Sequence, residues 1–498
     1  MNLRRLILLV LTLAAIAVVG SSLINSWTQP QVQSRLELYQ TNLVLHAAEW
    51  QDSAAQTELT ALQKGLLGDD GFASALKQYE KAQESVQETL EEAQTSPESL
   101  AQTPEQLQKI AQDLALKTGL LQVHQGDSAG ALVTWKELID NTTQPQTSTA
   151  ETAQVLVGLW GSPAQILSDA EAVIRRHLEG WFQYQALSQL YTLQQRQDAL
   201  QSLQVKEQTV AQEALLKLAI ISAIPGLGLV LGLILLVFLG VQWLRKRQDS
   251  LIAQNANLPW KTPWTAETVL QVFVVGFFFL GQVVIPLLFQ AALQRFNLQP
   301  GSLTARTQAE LVFVNYGLLA LGGLLVLYFS IRPSFPLPGG WFRFDWRGGW
   351  IGWGLGGYAV ALPLVILVSL VNQQLWDGQG GSNPILPIAL ENRDQVALII
   401  FLVTASVAAP VFEEIMFRGF LLPSLTRYMS VSGAIALSSV LFALAHLNVS
   451  EVLPLATLGI VLGVVYTRSR NLLSSILLHS LWNSGTLLSL YILGSGVG

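Results

Sequence analysis

Three apolar stretches near the C-terminus each place two marked residues four positions apart. The first reads Phe412-Glu-Glu-Ile-Met-Phe-Arg-Gly, with Glu413 beside Glu414 and Arg418 one turn on. The second runs from Phe442 to His446 and the third from His479 to Asn483. A spacing of four puts each pair on one helical face. Ionisable groups inside lipid cost on the order of 2.5–3.5 kcal/mol each, and lipid tolerates them when they face one another or a wet cavity. Of two adjacent carboxylates, Arg418 can hold one ionised and leave the other as a base. A carboxylate and a histidine can position a water for attack on a carbonyl, and a second histidine with an Asn amide can donate hydrogen bonds to the oxyanion that forms. Those are the parts of a peptide-bond hydrolase that uses water rather than an enzyme nucleophile. Each piece also has a plain reading on its own. Glu414 with Arg418 makes an intrahelical ion pair, His446 a cap near Asn448, His479 a carbonyl contact, and Asn483 an interhelical hydrogen bond. A common site explains all of them at once.

The three motifs, in this order on successive apolar segments, resemble those of the CPBP family of CAAX prenyl endopeptidases and of bacteriocin-processing and abortive-infection-like membrane proteins. The resemblance covers about residues 395–495. It implies that Glu413 and His446 hold and activate the water, that His479 and Asn483 form the oxyanion hole, that Glu414 and Arg418 support them, and that Phe442 lines the substrate site. The family is usually described as metal-dependent. Glu413, His446 and His479 could then supply three zinc ligands and leave a fourth position for water, although no His-Glu-x-x-His helix is present. Zinc therefore stays open. The implied substrate is a membrane-associated or lipidated polypeptide, with no requirement that it be prenylated.

The elements that must position these residues are transmembrane. Of 498 residues, 51% are hydrophobic and only 12% charged, about half the usual charged share of a soluble chain. About 20 apolar residues cross the hydrocarbon core. Stretches near 5–24, 216–243, 268–292, 309–330, 349–372, 396–412, 433–447, 452–467 and 472–494 predict roughly nine passes, the three between 396 and 467 being short. Arg4, Arg5, Arg245, Lys246, Arg247, Arg332, Arg343, Arg347, Arg427, Arg468 and Arg470 fall on one side of alternating passes. Only Arg295, Arg306 and Arg393 fall on the other. That bias predicts a cytoplasmic N-terminus in a multi-pass protein of a bacterial inner membrane, with the site toward the cytoplasmic face. Residues 1–24 read as an anchor, with Gly20, Ser21 and Ser22 leaving a cleaved signal as the alternative.

Residues 25–215 are polar and Gln-rich and read as an extracytoplasmic helical domain. A weak period of 35 links Leu120, Leu121, Gly126 and Ala129 to Val155, Leu156, Gly161 and Ala164, and then to Leu190, Tyr191, Arg196 and Ala199. It resembles tetratricopeptide-type repeats, with a long loop at 141–150. Such a domain could bind a protein partner, or could be a spacer. His46, His124 and His177 lack ligand spacing and read as surface or boundary residues. A span at 216–243, a polar linker at 244–266 and a membrane domain at 267–498 complete the all-α, polytopic organisation. Gly348, Gly352 and Gly356, like Gly228 and Gly232, read as close-packing positions. The chain contains no cysteine, which excludes disulfides and thiolate sites. The net charge of −6 without a basic block argues against nucleic acid as a partner. The rival functions are a non-catalytic scaffold or immunity-type protein acting through residues 25–215 and, last, a transporter.

Overall fold

The computed structural model describes residues 3–27, 33–51, 57–68, 70–95, 104–140, 148–295, 303–376 and 394–494. Arg393 and most of the loop at 141–150 lie outside the described residues. Among the described residues there are helices and no strands. The chain divides into two compact units, one of Met1–Thr28 with Ile224–Tyr491 and one comprising Gln29–Ala223.

The Gln29–Ala223 unit contains α2 (Gln33–Ala48), α3 (Thr57–Leu67), α4 (Gly71–Thr95), α5 (Pro104–His124), α6 (Ser128–Asp140), α7 (Ser148–Trp160), α8 (Ala170–His177), α9 (Gly180–Leu193) and the start of α10 (Gln197–Lys246). Its core is built on Leu45, Trp135, Leu156, Trp181 and Leu190. Two of the three repeat positions end in the same turn. Asp127 N–H donates to the Gln122 carbonyl and Arg196 N–H to the Tyr191 carbonyl, each five residues back. Gly126 and Gln195 take the left-handed position in these turns, which is the Schellman geometry. The equivalent of Gly126 is thus Gln195, one residue short of a strict period. On the second turn, hydrogen bonds from Arg196 and Tyr191 hold the Glu171 carboxyl down at about 2. The histidines are structural. His46 is not a surface residue: it is 3% exposed, and its Nδ1 lies 2.6 Å from Glu207. His124 packs tilted against Phe72 and edge-on against Trp181, and His177 meets Glu151 at 3.4 Å.

The membrane unit contains α1 (Leu3–Trp27), the end of α10, α11 (Ala266–Arg295), α12 (Ala305–Ile331), α13 (Trp350–Trp376), α14 (Gln395–Leu425), α15 (Val431–Leu444), α16 (Val452–Ser469) and α17 (Leu472–Gly494). Among the described residues seven helices are long and apolar enough to cross a membrane, which revises the count of nine. The stretch at 433–447 is the 14-residue α15, too short for a full crossing. In α17, His479, Asn483 and five serines reduce the apolar character that its 23 residues would otherwise give. Two other boundaries move. The stretch at 396–412 is the front of the 31-residue helix α14, and the span at 216–243 is the rear of a 50-residue helix with Pro225 inside it.

Contacts sort the helix ends into two groups. Arg5 pairs with Glu267, Trp260 N–H bonds to Thr426, and Leu472 N–H bonds to the Arg343 carbonyl. These bonds gather most of the basic residues at one end. At the opposite end Trp27 packs on Trp376 and Arg306 pairs with Asp394. The linker at 244–266 is docked rather than loose. Trp264 donates to Ser424, and the Trp341 indole donates to the Lys261 carbonyl. Only 6% of the apolar windows of α1 and α10 is buried, against 39% in α14 and 44% in α16. The latter two form the inner layer.

Glycine packing differs in part from the four-residue pattern. A Cβ on Gly232 would strike the Ala359 carbonyl, and one on Gly228 would strike Leu362. Gly352, however, has open space, and Gly356 meets only an ordinary contact. The tight positions on α13 are Gly354, whose Cβ would sit 2.7 Å from Leu477, and Gly357, pressed by Leu478 and Val465. Gly354→Leu should therefore destabilise the detergent-solubilised protein by about 1–3 kcal/mol, whereas Gly352→Leu leaves its thermal melting unchanged. Equal melting of the two variants would refute this assignment of the packing face.

Candidate active site

Glu413, Glu414 and Arg418 lie on α14, where helical geometry is interrupted twice. Residues 404–408 and 415–421 run as π-helix on either side of the two glutamates, a widening often found at functional positions. Phe412 seats this part of α14 on α12. Its ring would be only 2.9 Å from a Cβ on Gly323, so the absence of a side chain there admits it. Tyr316, two turns before Gly323 on the same face, reaches Glu413 and donates to its Oε1 at 3.0 Å.

Glu414 and Arg418 are fully buried. Arg418 Nη1 donates to Glu414 Oε1 at 2.8 Å, Nη2 donates to the Gly459 carbonyl at 3.1 Å, and the guanidinium lies 4.4 Å from the centre of the Phe442 ring. Gly459 makes that reach possible, because a Cβ there would lie 2.8 Å from Ser439 on α15. The α15 and α16 backbones are that close. His479 Nδ1 lies 3.0 Å from the same Glu414 oxygen. A carboxylate accepts, so Nδ1 carries the proton and Nε2 turns toward Glu413 Oε2 at 3.9 Å, beyond hydrogen-bond length.

His446 sits in the turn after α15, exposed, and not within the helix. Its Nδ1 is 2.9 Å from the Phe442 carbonyl, which can only accept. Nε2 is thereby left with a free lone pair. Phe442 touches three of the site residues, Arg418, His446 and His479. Its ring lies 5.0 Å from that of His446 and 5.6 Å from that of His479, and the residue is itself fully buried. It therefore supports the site from beneath and does not line an accessible surface.

Asn483 is held by a different bond. Its amide donates to the Ala405 carbonyl at 2.7 Å. In the π register, Ala409 N–H bonds to Thr404. The next residue that could serve Ala405 is Pro410, which has no N–H. Asn483 supplies the missing donor and keeps its second amide hydrogen. Counting 1.5 Å per residue from the basic end, His479 lies about 10 Å and Glu414 about 17 Å into their helices.

Among the described residues no group of three His, Cys, Asp or Glu side chains is placed to hold a metal ion. His479 Nδ1 is engaged by Glu414 and His446 Nδ1 by a backbone carbonyl, which leaves Nε2 as the open nitrogen of each ring. Tyr316 is the site residue that the sequence did not single out. A lone tyrosine in an apolar helix carries no distinguishing signal, and only its seven-residue offset from Gly323 hints at a shared face.

The bundle and its polar cluster make the C-terminal end of the chain a membrane-type helical domain that resembles the CPBP family. Residues 395–485 match the family described as type II CAAX prenyl endopeptidase Rce1-like. The chain is also 28% identical over 139 residues to a Staphylococcus aureus (strain USA300) protein described as the membrane-embedded CAAX protease MroQ. That match covers 27% of this chain and about half, 55%, of the relative. No solved structure matches.

The buried pair has a measurable signature. Glu414→Gln or Arg418→Met alone should cost about 3–5 kcal/mol, because each leaves a buried charge without its partner. The double substitution should cost less than the sum of the two. Strict additivity in thermal melts of the four proteins would show that the pair is not coupled.

Proposed function

We propose that the chain is an intramembrane endopeptidase that hydrolyses a peptide bond of a membrane-associated polypeptide with a water activated by Glu413 and His446. The observation that carries this reading is the division of labour between the two adjacent glutamates. Glu414 is consumed by Arg418 and His479. Glu413, held on one oxygen by Tyr316, keeps its other oxygen for a proton.

Glu413 takes a proton from the water as its oxygen attacks the carbonyl carbon, and His446 Nε2 accepts the water's second hydrogen bond. The carbonyl oxygen becomes an oxyanion, stabilised by the free amide hydrogen of Asn483 and by His479 in its doubly protonated form, in which Nδ1–H stays on Glu414 and Nε2–H also donates. The proton on Glu413 then passes to the leaving nitrogen as the C–N bond breaks, which regenerates the carboxylate. Tyr316 is a positioning residue that fixes the Glu413 rotamer. The positive-inside bias assigns the basic end to the cytoplasm and residues 25–215 to the other side, where their helices could receive a polypeptide partner.

The test co-expresses single variants with tagged membrane proteins and follows their cleavage. Glu413→Gln and His446→Ala should each reduce cleavage by at least about 100-fold without lowering the melting temperature. If no cleavage product ever depends on these residues, the non-catalytic scaffold reading replaces this one. Tyr316→Phe should lower kcat by about 10- to 100-fold with KM little changed. A rise in KM at constant kcat would instead place Tyr316 in substrate binding.

A further inference from the structure

Gly352 and Gly356 make no tight contact, yet they border a cavity of about 540 Å³. Its walls include Leu235 and Leu239 of α10, Ile252, Gly352 and Trp353 of α13, and Val464 of α16. The volume falls in the range of ligand sites, about 300–1,000 Å³. Apart from Trp353, whose indole N–H is the one side-chain donor among the lining residues, the walls are aliphatic side chains and glycine, so the part of a ligand that fits between them is hydrocarbon.

The mouth has the opposite character. Segments 245–253, 343–352 and 464–470 run from these walls to the basic end and carry seven basic residues, Arg245, Lys246 and Arg247 among them, against Asp249 and Asp345. Asp345 is already bound by Arg343. Arg468 is partly buried and forms no ion pair among the described residues. Its Nε donates instead to the carbonyl of the wall residue Ile252 at 2.6 Å. Trp243 and Trp346, 44% and 70% exposed, flank the same end as interfacial tryptophans do. A hydrocarbon slot that opens on unpaired cations between interfacial tryptophans complements one kind of molecule. We propose that the slot binds an acyl chain of an anionic phospholipid whose phosphate is held by Arg468 and the neighbouring basic side chains. Basic pockets between transmembrane helices recognise such headgroups. The site is separate from the glutamate–histidine cluster and does not depend on its activity.

The full-length protein, delipidated in mild detergent, is titrated by native mass spectrometry with phosphatidylglycerol and phosphatidylcholine of identical chains. Phosphatidylglycerol adducts should exceed phosphatidylcholine adducts by at least about fivefold. Gly352→Phe fills the slot from a position with open space, so it should keep its melting temperature and lose the phosphatidylglycerol adduct. Arg468→Gln should reduce the preference toward parity. Equal retention of the two lipids by the wild type, or an unchanged adduct in Gly352→Phe, overturns the proposal. So does displacement of the bound lipid by a farnesylated peptide, which would give the slot to a substrate's own chain.

Discussion

A guanidinium and a carboxylate at zero exposure, inside a helix bundle read as crossing lipid, set the constraint from which the rest of the membrane unit follows. Desolvating two such ions costs several kcal/mol each, and their attraction repays this only when further hydrogen bonds take up the remaining donors and acceptors. Three helices are drawn to α14 by that demand. Arg418 spends one nitrogen on Glu414 and another on the Gly459 carbonyl of α16, and its flat face on Phe442 of α15. Glu414 takes the His479 ring proton from α17. The absence of a Cβ at Gly459 is part of the same solution, since α16 must approach α15 closely enough for its backbone to be reached.

This network gives the paired glutamates different surroundings although they are neighbours in sequence. One faces inward and is neutralised. The other faces α12, accepts from Tyr316 and retains partial exposure of its side chain, 16%. Adjacent residues on a helix point about a quarter-turn apart, so the doublet of acids reads as two roles rather than redundancy. The His479 tautomer follows as well. A proton fixed on Nδ1 by Glu414 means that Nε2 is the ring nitrogen that faces Glu413.

Much of this was legible because lipid penalises polar residues, so that Glu414, Arg418 and His479 stand out in their apolar surroundings. What was not legible has identifiable causes. Tyr316 is unremarkable in an apolar helix, and its importance comes from the depth at which α12 meets α14. The partner of Asn483 depends on a π turn that shifts the hydrogen-bond register onto Pro410, which spacing rules based on 3.6 residues per turn do not anticipate. On α13 a four-residue glycine period identified a face without saying what lay opposite it. Gly354 and Gly357 meet side chains of α16 and α17, while Gly352 opens on a cavity. His46 looked isolated because Glu207, its partner, is 161 residues away.

The shortness of α15 explains why the N-terminal helix belongs to this unit. After Leu444 the chain turns through His446 and does not resume a helix of more than one turn until Val452. That leaves backbone polar groups inside a bundle where water cannot reach them all, and such irregular backbone is tolerated at membrane depth only where protein or a wet cavity satisfies it. The bonds come from far away in sequence. Ser26 of α1 accepts from Val449 N–H, Asn372 of α13 donates to the Ser450 carbonyl, and Asn448 accepts from Ser450 within the turn. A segment lost as a cleaved signal would leave Val449 without that acceptor three residues from His446. The same helix is fixed at its two ends by Arg5 on Glu267 and Trp27 on Trp376. The first helix is thus a structural member of the bundle, and the turn that presents His446 draws one of its hydrogen bonds from it.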